Sequence, residues 1–124
     1  MIVHVPDVGK FNVQFIKQHE TSFREKQLID TFCKIFRYSN YSIVVDGKLK
    51  TAKVLIAQSA AYQSPKDQYD KVLGKKIALT RALASHSFCK QFQHLDPDQL
   101  KLIRTAFWNA FWDEFGPQRK NHEV

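Results

Sequence analysis

The chain has 124 residues, 44% of them hydrophobic and ten of them Phe, which supplies enough nonpolar surface for one core. It holds no run of about 18 apolar residues, which excludes a transmembrane helix, and its first residues are too interrupted for a signal peptide, so we expect a cytoplasmic protein. A net charge of +7 favours attraction to polyanions, nucleotides or an acidic protein surface, although such a charge also keeps a small domain soluble.

The first predicted strand covers residues 9–19, after a short lead. Phe11, Val13 and Phe15 alternate with polar residues there, which is the period of a half-buried strand. The polar segment 19–26 that follows predicts a loop.

Residues 27–38 fit two structures. Leu28, Phe32 and Phe36 fall at helical spacing, and Ser22 with Glu25 would form a capping box, which favours a helix. The same stretch is rich in β-branched and aromatic residues, which favours a strand.

A hairpin is predicted around Asp46-Gly47, because this pair readily supplies the positive φ angles of a type I′ turn. Residues 41–45 and 49–61 are its two strands, and small residues near position 61 allow close packing.

The second half predicts two amphipathic helices. For the first, over 65–84, Ser64 is the cap, Pro65 fits the first position and Asp67 complements the positive end. Its predicted core face consists of Tyr69, Val72, Leu73, Ile77, Thr80 and Leu83 or Ala84. Gly74 inside this helix indicates a close backbone approach.

The second helix starts after a helix end and an irregular connection over 85–95. Asp96 is its cap, Gln99 closes a capping box, and Gly116 with Pro117 ends it. Its core stripe consists of Leu100, Ile103, Phe107, Ala110 and Phe111.

These elements predict an α+β fold: an antiparallel sheet of three to four strands, followed by two amphipathic helices packed on it. Residues 1–117 are expected to form a single domain and residues 118–124 a flexible tail.

The sequence contains none of the common catalytic motifs, and we expect neither an enzyme nor a bound cofactor. His86, Cys89 and His94 match no zinc signature, so their packing in the core is favoured over a metal site. Because Cys33 and Cys89 are too few for a disulfide framework, we expect reduced, buried thiols.

Basic residues on the predicted helices are candidates for binding an anion. Lys75, Lys76 and Arg81 lie along the first helix, and Arg104 on the second could converge on the same region. The alternative is a solvated basic face whose charges pair locally with Asp67 and Asp70.

Trp108 and Trp112 are spaced four apart on the second helix, beside its core stripe, and Phe115 follows them. This helix has more apolar surface than one face of a small sheet usually covers. The three aromatic residues therefore form either an interface, in a homo-oligomer or with a partner, or part of the monomer core.

Three segments resemble small bacteriophage and prophage accessory proteins. Residues 64–69 (S-P-K-D-Q-Y) with 74–83 (G-K-K-I-A-L-T-R-A-L) are similar to their helix motif S-P-x-D-x-aromatic and G-[RK]-[KR]-I-A-L-x-R-A-L. Residues 104–111 resemble their closing helix, and residues 30–35 resemble an earlier strand. The resemblance thus implies a strand over 27–38 and a phage origin.

The arrangement of a sheet and two helices is also similar to the Thoeris anti-defence sponge proteins, which sequester cyclic nucleotide signals. This similarity implies an anti-defence protein that sequesters an anionic cyclic nucleotide. In such a protein, we expect the basic residues Lys75, Lys76, Arg81 and Arg104 to neutralise the phosphates and an aromatic such as Tyr69 or Trp108 to stack on a base. The alternatives are a protein-interaction inhibitor of the anti-CRISPR type, directed at a Cas effector, and a small nucleic-acid-binding protein.

Overall fold

The structure is a computed structural model that describes residues 1–19, 28–63 and 70–116. In these residues, four strands form one antiparallel sheet in chain order, and three helices follow it. The elements are β1 (Ile2–Val5), β2 (Gly9–His19), β3 (Ile29–Val45), β4 (Lys48–Ala61), α1 (Lys71–Leu83), α2 (His86–Gln91) and α3 (Pro97–Phe115). This arrangement confirms the predicted α+β fold with its antiparallel sheet.

The lead before β2 contains a strand that the sequence analysis missed. β1 pairs antiparallel with β2, and its buried Val3 lies opposite Phe11. The backbone N–H of Val8 donates to the carbonyl of Val5, at 3.1 Å, where the chain turns between the two strands. The available sequence signal was Val3-His4-Val5, in which two β-branched apolar residues flank a polar one; in the structure both valines are buried and His4 is exposed.

Residues 29–45 form a strand, which settles the ambiguity over 27–38 for the described residues. From Thr31 onward the burial alternates, with Thr31, Cys33 and Ile35 buried, as in a strand that packs one face on a core, and Asp30 before them is buried as well. The turn that follows has φ angles of 52° at Asp46 and 74° at Gly47, which confirms the predicted type I′ hairpin.

The chain divides into two compact units. One consists of Met1–Val13, Phe36–Leu55 and Phe92–Val124, and we call it the α3 unit; the other, the α1 unit, consists of Gln14–Ile35 and Ile56–Gln91. The expectation of a single domain over 1–117 stays a prediction. The expected tail, 118–124, lies outside the described residues, as does the expected loop at 19–26 except for its first residue, which ends β2.

The α3 unit has an aromatic core. The ring of Phe11 on β2 lies 5.2 Å from that of Phe107 on α3 and 6.1 Å from that of Phe92. Arg37 covers these rings, with its guanidinium 5.7 Å from the centroid of Phe11 and 5.8 Å from that of Phe92, and it donates to the carbonyl of Val8 at 2.8 Å. The half-buried arginine thus closes the core beside the first turn.

Helix α3 begins and ends where its sequence predicts. Asp96 accepts from the backbone N–H of Gln99, the Gln99 side chain accepts from the N–H of Asp96, and Gly116 follows the last turn. Ile103, Phe107 and Phe111 of the predicted stripe are fully buried, whereas Leu100 and Ala110 are half-buried.

In the α1 unit, the predicted helix over 65–84 is wrong at its start. Asp70 has an extended backbone and caps a helix that begins at Lys71, accepting from the N–H groups of Val72 and Leu73 at 3.0 Å each. Because an extended residue cannot lie inside a helix, no helix passes through position 70. The predicted cap residues Ser64, Pro65 and Asp67 lie outside the described residues.

The predicted core face of α1 is correct only in part, since Leu83 is buried and Val72 and Ile77 are half-buried. Leu73 and Thr80 are exposed, and the buried residues of the helix are Ala78, Leu79, Ala82 and Leu83. Small residues at Gly74, Ala78 and Ala82 lie on one side of the helix at intervals of four, which lets the backbone approach the sheet closely. The close approach predicted for Gly74 is confirmed by its contact with Thr31 on β3.

The short helix α2 lies within the segment that was expected to be a helix end and an irregular connection. Its first turn is held by Ser85, whose hydroxyl accepts from the N–H of Phe88 at 3.2 Å, and the Phe88 side chain is fully buried.

In the parts of the chain that the structure describes, no helix has the length and the apolar character needed to cross a membrane.

Candidate functional site

The predicted anion-binding residues are divided between the two units. Lys76 on α1 is exposed and Lys75 is half-buried, and both have interactions with other residues. Arg81 is exposed and donates from Nη1 to the backbone carbonyl of Ala60 at 2.8 Å, so one of its donors holds α1 against β4. Arg104 is half-buried on α3, in the other unit.

The structure therefore places three of the predicted ligands, Lys75, Lys76 and Arg81, on one helix of the α1 unit. Tyr69 lies outside the described residues. The convergence of Arg104 on the same region stays a prediction.

The predicted interface residues form a cluster of rings on α3. Trp108 and Trp112 stack with centroids 6.5 Å apart and planes inclined by 28°, and Phe115 lies 5.2 Å from Phe111. Trp108, Trp112 and Phe115 are all half-buried, so α3 does not present a fully exposed aromatic ridge. Their role in an interface stays a prediction.

The cysteines and histidines do not combine into a site. His86 and His94 are exposed and Cys89 is half-buried, so the expected packing of the two histidines in the core is wrong. No group of three or more His, Cys, Asp or Glu side chains with metal-binding geometry occurs in residues 1–19, 28–63 and 70–116. Both cysteines are free thiols, and only Cys33 is fully buried.

The far part of the β3–β4 hairpin forms a continuous exposed surface. Every residue from 40 to 51 is exposed, on both strands and on both faces. We call residues 40–55 the arm. Its exposed large apolar side chains are Tyr41, Ile43, Val44, Val45, Leu49, Val54 and Leu55.

The type I′ turn determines how these side chains are arranged. A two-residue turn pairs the residues that flank it, so Val45 lies opposite Lys48, and Val44 lies opposite Leu49 on the other face. Val44 is 71% exposed and Leu49 is 74% exposed, so this cross-strand apolar pair faces solvent. In most proteins, a pair of large apolar side chains on neighbouring strands is covered by a second layer of helices or strands.

The arm is basic as well as apolar. Lys48, Lys50 and Lys53 lie on β4, which contains no Asp or Glu over its whole length, and Asp46 in the turn is the arm's one acidic residue. Lys53 is held at the base, where its ammonium lies 4.8 Å from the ring centroid of Phe36. The lysines nearer the tip, Lys48 and Lys50, are exposed.

The base of the arm is fixed to the sheet. The hydroxyl of Ser39 donates to the backbone carbonyl of Ala52 at 3.0 Å. It also lies 3.3 Å from the backbone carbonyl oxygen of Tyr41. Sequence reasoning found this hairpin but not its exposure. The run Ile43-Val44-Val45 by itself indicates a strand that is covered on both faces, so the available signal for exposure was the repeated lysines of β4, Lys48, Lys50 and Lys53.

Comparison with known proteins identifies no relative. No protein-family model, no curated protein and no solved structure matches this chain.

Proposed function

We propose that this chain is a binding protein, and that it acts by docking its arm on an acidic surface of a partner protein. The observation that carries the proposal is the exposure of both faces of the arm, including the apolar pair Val44 and Leu49.

Exposed apolar side chains are costly when they are gathered in one place. Single exposed hydrophobic residues are normal on a protein surface, but a contiguous patch is typical of an interaction site. A two-stranded hairpin without a covering layer is also only marginally stable by itself. A partner that covers the arm would remove this apolar surface from water, at about 25 cal/mol per Å².

The chemistry of the arm favours a protein partner over a nucleic acid. The apolar residues nearest the turn, Val44, Val45 and Leu49, are aliphatic, and the arm's one aromatic side chain on which a base could stack is Tyr41. Lysines near the tip would steer the arm toward a negatively charged partner and increase the association rate, with an effect that salt weakens.

The resemblance to phage accessory proteins suggests where the partner would be found. A host defence protein in the bacterial cytoplasm, such as a Cas effector, is the partner class that we propose to test first. Docking of the arm on an assembly surface of such a protein would block it by occupancy, without any chemical step.

Sequestration of a cyclic nucleotide remains the competing proposal. It rests on the exposed Lys76 and the neighbouring Lys75 and Arg81 on α1, in the unit that does not contain the arm. The two proposals therefore make different predictions for the same set of variants.

The test uses the full chain immobilised and exposed to host lysate, followed by purification of the captured protein and measurement of its affinity. Val44→Thr with Leu49→Thr removes the apolar pair and keeps residues that favour strands. Leu102→Thr is the matched control, because Leu102 is 68% exposed on α3, outside the arm.

The proposal expects a partner whose affinity drops at least about tenfold in the arm variant and is unchanged by Leu102→Thr. A partner that binds both variants equally well would refute docking through the arm. Heat on titration with a cyclic nucleotide, lost in Lys76→Gln but not in the arm variant, would instead establish the sequestration proposal.

A further inference from the structure

We infer that the arm binds its partner through the free edge of β4, which takes up an extended, acidic segment of the partner as an additional strand. This inference rests on the proposed function and specifies its chemistry.

The sheet order places β4 at one edge. Its one neighbour among the described strands is β3, so one side of a 14-residue strand faces away from the sheet. An exposed edge presents backbone N–H and C=O groups that are ready to pair with another chain. Peptides that bind in this way gain affinity from main-chain hydrogen bonds and specificity from alternate side chains.

The C-terminal end of β4 contacts α1, whereas its N-terminal part is exposed. Near the C-terminal end, Arg81 of α1 donates to the carbonyl of Ala60, and the hydroxyl of Ser59 donates to the carbonyl of Ala78. Helix α1 is thus bound to this end of the strand. From Lys48 to Leu55, by contrast, every residue except the half-buried Ala52 is exposed. Among the residues that the structure describes, the arm part of β4 is therefore the part of the edge that is open to a partner.

The charge of β4 indicates which kind of segment would pair with its free edge. Lys48 and Lys50 are two residues apart and so project from the same face, and β4 has no carboxylate. Opposite charges on neighbouring strands stabilise a sheet, and like charges destabilise it. A second copy of β4 offers only lysines in any register, whereas a segment with Asp or Glu at alternate positions can pair with both. The occupant is therefore an acidic, extended peptide segment rather than another copy of this chain.

The test uses three synthetic peptides of about eight residues, a usual strand length. The first alternates Glu with Val, the second alternates Lys with Val, and the third is the first peptide with N-methyl groups on alternate residues, which removes the donors of one edge. Binding to the full chain is measured by fluorescence anisotropy, and the amide exchange of residues 48–55 is measured with and without peptide.

The Glu peptide is expected to bind about tenfold more tightly than the Lys peptide, since two cross-strand charge pairs act together. It should also slow amide exchange in 48–55, and N-methylation on the paired edge should abolish binding. Lys48→Gln with Lys50→Gln should reduce the preference for Glu, whereas Lys101→Gln, an exposed lysine on α3, should not.

Several results would overturn the inference: equal binding of the Glu and Lys peptides, binding without slower exchange in 48–55, or a native mass showing a dimer whose contact protects these amides. Tighter binding of a single-stranded DNA oligonucleotide at the arm would overturn it as well. If a partner depends on Val44 and Leu49 while the edge amides stay unprotected, the inference fails but the proposed function stands. If no partner depends on the arm side chains, the proposed function itself fails.

Discussion

Gly74 on α1 lies directly against Thr31 on β3. A Cβ atom at position 74 would lie 2.7 Å from the hydroxyl oxygen of Thr31, closer than real Cβ atoms approach a neighbour. Thr31 is itself buried, with 3% of its surface exposed, so it has little room to move. The glycine is required by this contact with the sheet rather than by its backbone angles.

Gly74→Ala should therefore destabilise the protein, although alanine favours a helix over glycine by about 1 kcal/mol. Overpacking of this kind costs about 1–3 kcal/mol, so we expect a net loss in the free energy of unfolding measured with urea. Thr31→Ala removes the obstructing hydroxyl. In that background, Gly74→Ala should be neutral or stabilising by up to about 1 kcal/mol. A stabilising Gly74→Ala in the wild-type background would contradict the contact.

The start of α1 depends on Asp70. Its carboxylate accepts from the N–H groups of Val72 and Leu73, which otherwise have no partner within the helix. Asp70→Ala should lower the free energy of unfolding by about 1 kcal/mol, whereas Asp70→Asn, an equally good cap, should change it little. Equal losses in the two variants in urea unfolding would show that charge, rather than capping, is what Asp70 contributes.

The buried thiol of Cys33 should lower the free energy of unfolding at alkaline pH. Desolvation by burial raises the pKa of this thiol from 9.0 to about 12. The folded state therefore retains a proton that the unfolded state releases above pH 9, so the contribution to stability is complete below pH 9 and is lost as the pH rises toward 12.

The comparison that isolates this effect is between the wild-type chain and Cys33→Ala. The stability difference between them, measured by urea unfolding at a series of pH values, should be constant up to about pH 8 and change by up to about 1.4 kcal/mol per pH unit between the two pKa values. A constant difference across the whole range would mean that the thiol ionises without unfolding. A thiol reagent should correspondingly modify Cys33 only as fast as the α1 unit opens.

The turn of the arm predicts a local effect. Gly47 has a φ of 74°, and a Cβ there would meet nothing within 4 Å, so Gly47→Ala should cost only the strain of the left-handed backbone, about 1 kcal/mol. We expect faster amide exchange in residues 40–51 and a nearly unchanged urea midpoint. Asp46→Asn is the control, because Asn tolerates a positive φ, and it should leave the exchange rates as they are. Unchanged exchange in Gly47→Ala would argue against the type I′ turn.

The candidate site was predicted only in part. The hairpin around Asp46-Gly47 follows from its turn residues, but alternating patterns predict strands that are half-buried, not a hairpin exposed on both faces. Basic residues were assigned to an anion site from their position on a helix. One of them, Arg81, binds the carbonyl of Ala60, an interaction that depends on a residue 21 positions away.

The elements that the sequence by itself determined are those whose energetics are local. Two such elements are the capping box of Asp96 and Gln99 and the turn with positive φ angles at Asp46 and Gly47. Each involves residues at most three positions apart, so it can be predicted from the local sequence. The tertiary structure alone decided which face of α1 is buried and which strand has no cover. Both depend on contacts between distant segments, such as Gly74 with Thr31, and a helical or alternating pattern does not specify the partner that a face will meet.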